Sequence, residues 1–168
     1  MFEILPWTRR AKEFYTKAVS HPANQEVLRF LQSESTPRGL AAKSPWRKSA
    51  YVIHVHPELG TLLDQAAEKL PGHYAEFLYG FDVIADRSGA ICAFAFSKHT
   101  LAFRLPGQLW AEAFEKGGKP VERAGEGWIE FDPWPPHGPA RSDSQILAFA
   151  QYWLERAYRH AHELSRHI

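Results

Sequence analysis

The sequence predicts an α+β fold: an antiparallel β-meander sheet with helices packed against it, plus an N-terminal helical extension. Three observations carry that expectation. Residues 76 to 105 hold three runs rich in aromatic and β-branched residues, separated by polar turns at Asp86-Arg87-Ser88-Gly89 and near Ser97 to His99. That is the pattern of a three-stranded antiparallel meander. The middle run sets Cys92, Phe94 and Phe96 on one face and Ile91, Ala93 and Ala95 on the other, because strand side chains alternate. Both faces are apolar, so this strand is expected to be central and covered by helices on at least one face. Downstream, residues 107–117 and 142–166 carry apolar side chains at helical spacing.

Taken in order, residues 8–20 read as a helix that Thr8 can cap, with Ala11, Phe14, Ala18 and Val19 as its stripe. His21-Pro22 stops it, and Asn24 can cap a short second helix with Val27, Leu28 and Leu31 inward. Ser33 to Lys48 has few apolar anchors and reads as an exposed basic connector. Tyr51 to His56 reads as a strand, and Pro57 suits the first turn of the helix after it. Leu59, Leu62, Leu63, Ala66 and Leu70 form that helix's stripe before Pro71-Gly72 ends it. After the meander, Leu109, Trp110, Ala113 and Phe114 are the inward face of a helix ended by Gly117-Gly118. Trp128 to Asp132 alternates as a strand, and Asp132 to Pro139 is a stiff proline-rich link. Ser142 to Gln145 matches a capping box, and Ile146, Ala150, Trp153, Ala157, Ala161 and Leu164 line the last helix.

A chain of 168 residues suits one domain with a real core. The sequence divides into residues 1–50, a helical extension with a basic linker, and residues 51–168, an α+β domain expected to fold without them. No stretch has the length and apolarity of a membrane span, and Arg9, Arg10 and Lys12 interrupt any signal-peptide core. The single cysteine, Cys92, excludes an intrachain disulfide framework and fits a reducing, cytoplasmic setting. Its mid-strand place among Phe and Ala marks a packing residue, since apolar burial makes a thiol inert. Residues 1–50 hold nine Lys/Arg against four Asp/Glu, a basic bias that a solvated helix face and loop explain.

Few residues suggest chemistry. His54 and His56, two apart on an expected strand, would point to one face and can supply two metal ligands. A third would have to come from Glu58, Asp82 or Asp86. His160 and Glu163 have ligand spacing on the last helix, although histidines near a helix C-terminus also suit its dipole. No nucleophile elbow or phosphate loop is present. Gly117-Gly118-Lys119 ends a helix and so turns its N–H groups the wrong way for phosphate. The pairs Asp82/Asp86 and Glu112/Glu115 have ordinary surface spacing. Trp46 beside Arg47 and Lys48 is one ingredient of a binding loop, but nucleic acid is not expected as a partner. Trp134 on its stiff link either packs onto the sheet or is presented to a partner. No cofactor is expected.

From residue 57 onward the order of elements, with Tyr79-Gly80-Phe81, Asp86 to Gly89, Ala93-Phe94-Ala95, Leu101 to Leu105, Gly117-Gly118, Trp128 to Phe131 and a last helix with Leu147, Trp153 and Ala157, resembles the TfoX N-terminal domain family and its YjbR-like relatives. Where members of that family often open the meander with Arg-Met-Phe-Gly-Gly, this chain has Glu76-Phe-Leu-Tyr-Gly80. The resemblance implies a small non-enzymatic binding or regulatory domain, with a protein partner or self-association. The alternative is a metal- or small-ligand-binding enzyme using the His54/His56 pair.

Overall fold

Six antiparallel strands form one sheet in the order β1-β2-β3-β4-β6-β5. The computed structural model describes residues 6–39, 44–135 and 139–166, with side chains from residue 9 onward. The strands are β1 (Tyr74–Leu78), β2 (Phe81–Ala85), β3 (Ile91–Phe96), β4 (Thr100–Arg104), β5 (Lys119–Pro120) and β6 (Trp128–Phe131). The helices are α1 (Pro6–Ser20), α2 (Gln25–Glu34), α3 (Pro57–Ala67), α4 (Trp110–Glu115) and α5 (Asp143–Arg166). The α+β class stands, with more strands than expected. Residues 76–85 are not one strand but the end of β1 and all of β2, joined at Tyr79-Gly80. Both residues have positive φ, 55° and 91°, as a two-residue hairpin turn of primed type requires.

Helices cover the sheet on both faces. On one, Phe30 of α2 packs on Phe94 (6.0 Å) and Phe96 (5.3 Å), Phe94 meets Trp128 at 5.0 Å, and Phe14 of α1 sits 5.4 Å from Tyr74. On the other, Phe131 stacks on Trp153 of α5 at 4.9 Å and meets Phe149 edge-on at 5.2 Å. There α3 lies so close to β2 that a Cβ at Gly60 would stand 2.6 Å from the Asp82 carboxylate. Buried side chains of α1 and α2 therefore belong to the same continuous core as β3 and α5. Residues 1–50 and 51–168 are a division of the sequence, and the two parts share one core.

Other differences have local causes. Asn24 makes no side-chain cap to α2. It is fully buried, its Nδ2 donates to the carbonyls of Ala18 and Gly89, and its Oδ1 accepts from the Ile91 N–H. It is thus a buried tie between α1, the β2–β3 turn and β3. Gly89 of that turn has φ +92°, and a Cβ there would lie 2.7 Å from Cβ of Lys17, so α1 crosses directly over the turn. The β2–β3 register slips between Ile84 and Ala85, which leaves Cys92 opposite no partner and breaks strict alternation there. Cys92 is fully buried, and burial raises its thiol pKa.

The connector is folded where it is described. Val52 N–H donates to Thr36 O (2.8 Å) and Arg38 N–H to Ala50 O (2.9 Å), beside a bridge between Pro37 and Tyr51. Tyr79 N–H donates to Pro45 O at 2.8 Å, and Gln32 Nε2 donates to the Tyr79 hydroxyl at 2.8 Å. Residues 40–43 of this stretch lie outside the described residues. No strand forms over Tyr51 to His56 beyond that bridge. The expected helix boundaries hold at two places, the end of α4 and the start of α5. Gly118 and Gly117 N–H groups return to Ala113 O and Phe114 O, a Schellman closure. Ser142 and Gln145 exchange backbone N–H donors for side-chain oxygens at 2.8 and 3.2 Å, the reciprocal capping box. Val19 and Phe114, expected inward, are 38% and 45% exposed. Among the described residues no helix is long and apolar enough to cross a membrane.

Candidate functional site

α4 is short, and is held by its Schellman end and by Ala113, its one fully buried side chain. A cleft of about 740 Å³ separates it from the first half of α5. Glu112, Glu115 and Lys116 line one wall, and Phe149, Tyr152 and Trp153 the other, with Arg141 at the end. The Tyr152 hydroxyl donates to the Glu112 carboxylate across it. Arg141 lies over the Phe149 ring at 4.6 Å and Arg156 over the Tyr152 ring at 3.3 Å, cation–π contacts that hold both arginines in place. Behind α4, Trp110, Phe114, Pro120 and Trp128 line an apolar slot of about 220 Å³. Phe114 and Tyr152 are two of the three large hydrophobic residues that the described surface exposes.

A second concavity of about 440 Å³ opens at the end of the sheet where β4 leaves it. Arg104, Trp110 and Glu126 meet His160 and Glu163 of α5 there. Arg104 gives one N–H to the Ala23 carbonyl at 2.7 Å. Burial lowers its pKa and, with Arg104, lowers that of His160.

A polar knot ties α1, the β2–β3 turn and α5. His21 is buried, its Nδ1 accepts from the Ala23 N–H at 3.1 Å, and its Nε2 lies 3.1 Å from Ser165 Oγ. Ser165 Oγ also approaches Ser88 Oγ (2.8 Å) and Asp86 Oδ2 (3.4 Å). Serine, histidine and aspartate meet, but not as a nucleophile triad. With Nδ1 an acceptor and burial lowering its pKa, His21 carries its proton on Nε2 and donates to Ser165, so it cannot take the hydroxyl proton. Asp86 accepts from Ser88 N–H, Ser88 Oγ and Ala90 N–H, which makes it the turn's anchor.

The residues singled out from sequence fall in different places. His54 is exposed and pairs with Thr36 Oγ1 at 3.0 Å, and His56 Nδ1 accepts the Glu58 N–H at the start of α3. Without a strand between them the two rings do not share a face by alternation. No three His, Cys, Asp or Glu side chains gather as a metal site among the described residues. Trp46 packs on Tyr15 at 5.2 Å, and its buried Nε1 has no acceptor among the described residues. Arg47 is exposed, and Lys48 lies over the Phe77 ring at 4.9 Å. Trp134 is half-buried against the core, with its N–H on Asp132 Oδ1. It follows β6, whereas Trp46, Arg47 and Lys48 lie by the β1–β2 turn at the opposite edge, so the four make no common site. His137 of the link lies outside the described residues. Sequence reading missed Phe149, Tyr152 and Arg104. The available signal was an aromatic pair lying off the apolar stripe of α5.

Two half-buried carboxylates stand out on the sheet. Burial raises Glu76 to about 7 against the pull of Arg10, and burial with Asp64 nearby raises Asp82 to about 6. No protein-family model, curated protein or solved structure matches this chain.

Proposed function

We propose that this protein is a cytoplasmic, non-enzymatic binding or regulatory domain that engages a protein partner through the face built around α4. The observation that carries this reading is the exposure of Phe114 and Tyr152 on either side of α4, at 45% and 36%, beside clefts walled by Phe149, Trp153 and Trp110. Aromatic residues and arginine are the types that dominate binding hot spots. Arg141 and Arg156, laid on aromatic rings, are already ordered, so a partner meets them with little entropy left to lose.

Site-specific photo-crosslinking tests it. A photoreactive residue at Phe114 or Tyr152 is expected to give a discrete protein adduct in cells. The same residue at Val19, the exposed apolar side chain of α1, is expected to give none. Equal labelling at all three positions, or none at 114 and 152, would overturn the reading. The mass of the adduct separates a second copy of this chain from a different protein.

A further inference from the structure

In the pocket at the end of the sheet, Arg104 feels the carboxylates of Glu26 and Glu126 but forms a salt bridge with neither. Arg104 is half-buried, and burial lowers its pKa. Its bond to Ala23 O leaves most of its five N–H donors free. Among the described residues no carboxylate comes within salt-bridge distance of it. Buried charges are normally paired in direct contact. Arg104 lines a cavity of about 440 Å³, a size that suits a small molecule.

The rest of the lining selects among anions. Glu126 and Glu163, both exposed, stand at the same cavity. A dianion such as phosphate would meet two negative side chains as well as Arg104. A carboxylate that carries an ammonium group would match both signs. Burial and Arg104 lower the pKa of His160 against the pull of Glu163, and its ring adds a hydrogen-bonding group to the lining. The Trp110 ring is fixed by its Nε1 bond to Leu105 O at 2.8 Å and supplies an apolar wall. A neighbouring concavity of about 170 Å³ shares Pro106, Gln108, His160 and Glu163 with it and is also lined by Arg156 and Arg159.

We propose that this pocket binds a small zwitterion of the α-amino-acid class, its carboxylate on the Arg104 guanidinium and its ammonium group towards Glu163 and Glu126. A planar guanidinium fork matches a carboxylate bidentately. The site lies across Trp110 from the apolar slot, and the inference stands whether or not the α4 face carries a partner.

Calorimetric titration of the full chain with each of the twenty amino acids, acetate, methylamine and inorganic phosphate tests this. At least one amino acid is expected to bind saturably, about tenfold or more tighter than acetate, methylamine or phosphate. Glu163→Gln, on the exposed side of α5, is expected to weaken that amino acid by about tenfold with the thermal midpoint unchanged. Arg104→Gln should abolish binding, but Arg104 also holds the Ala23 carbonyl, so the Glu163 variant carries the decision. No saturable amino acid up to about 10 mM, phosphate binding as tightly as any amino acid, or an affinity indifferent to Glu163→Gln would each overturn the proposal.

Discussion

Glu76 shows how one side chain sets a pH dependence. An unfolded chain releases this proton near the usual carboxylate value of 4.5, and the folded protein holds it to about 7. Between those values the native state binds the extra proton, so this group's contribution falls as pH rises through the window. Glu76→Gln is therefore expected to raise stability at pH 8 by on the order of 2–3 kcal/mol. The difference should close below about pH 4.5. Denaturant unfolding of both proteins at pH 4 and pH 8 measures it, and a loss of stability at pH 8 would mean that the Arg10 pair at 3.9 Å outweighs burial. Phe94 is a plainer case. It is fully buried between Phe30, Phe96 and Trp128, and Phe94→Ala should cost about 3 to 5 kcal/mol. A loss below about 1 kcal/mol would mean that the covered face repacks without it.

At the scale of elements, the legible parts were those whose signal is local. β3, β4, β6 and α3 follow from the spacing of their own apolar residues, and the start of α5 from Ser142 and Gln145 alone. The β1–β2 hairpin was not legible, because its left-handed turn begins with Tyr79, held by Pro45 and Gln32 from far along the chain. Asn24 looked like a cap because a cap and a buried cross-link use the same side chain. The α4–α5 cleft was invisible for a similar reason, since Tyr152 meets Glu112 forty residues away. Trp134 packs against the core, which favours the structural role among the two that the sequence left open. Trp134→Ala is expected to lower stability by about 2 kcal/mol, less than a fully buried tryptophan would, and to leave sedimentation unchanged. Unchanged stability with altered association would make it an anchor instead.

The whole molecule is a sheet closed from both sides by helices that are remote in sequence. α1 and α2 cover one face, and α3 and α5 the other. Asn24, Gly89 and the His21–Ser165–Asp86 knot fasten the N-terminal helices to the turn and to α5. Removing residues 1–48 would strip Phe14, Val27, Phe30 and Leu31 from the core and bare Phe94 and Trp128 to water. Each buried aromatic or aliphatic side chain contributes about 1.5 to 3 kcal/mol, and a domain's net stability is only about 5 to 15 kcal/mol. The most direct measurement is therefore thermal unfolding of a chain lacking residues 1–48, followed by near-ultraviolet circular dichroism and calorimetry. One shared core predicts no cooperative transition and no fixed aromatic signal. A cooperative transition close to that of the full chain would contradict it and make the N-terminal helices an appendage.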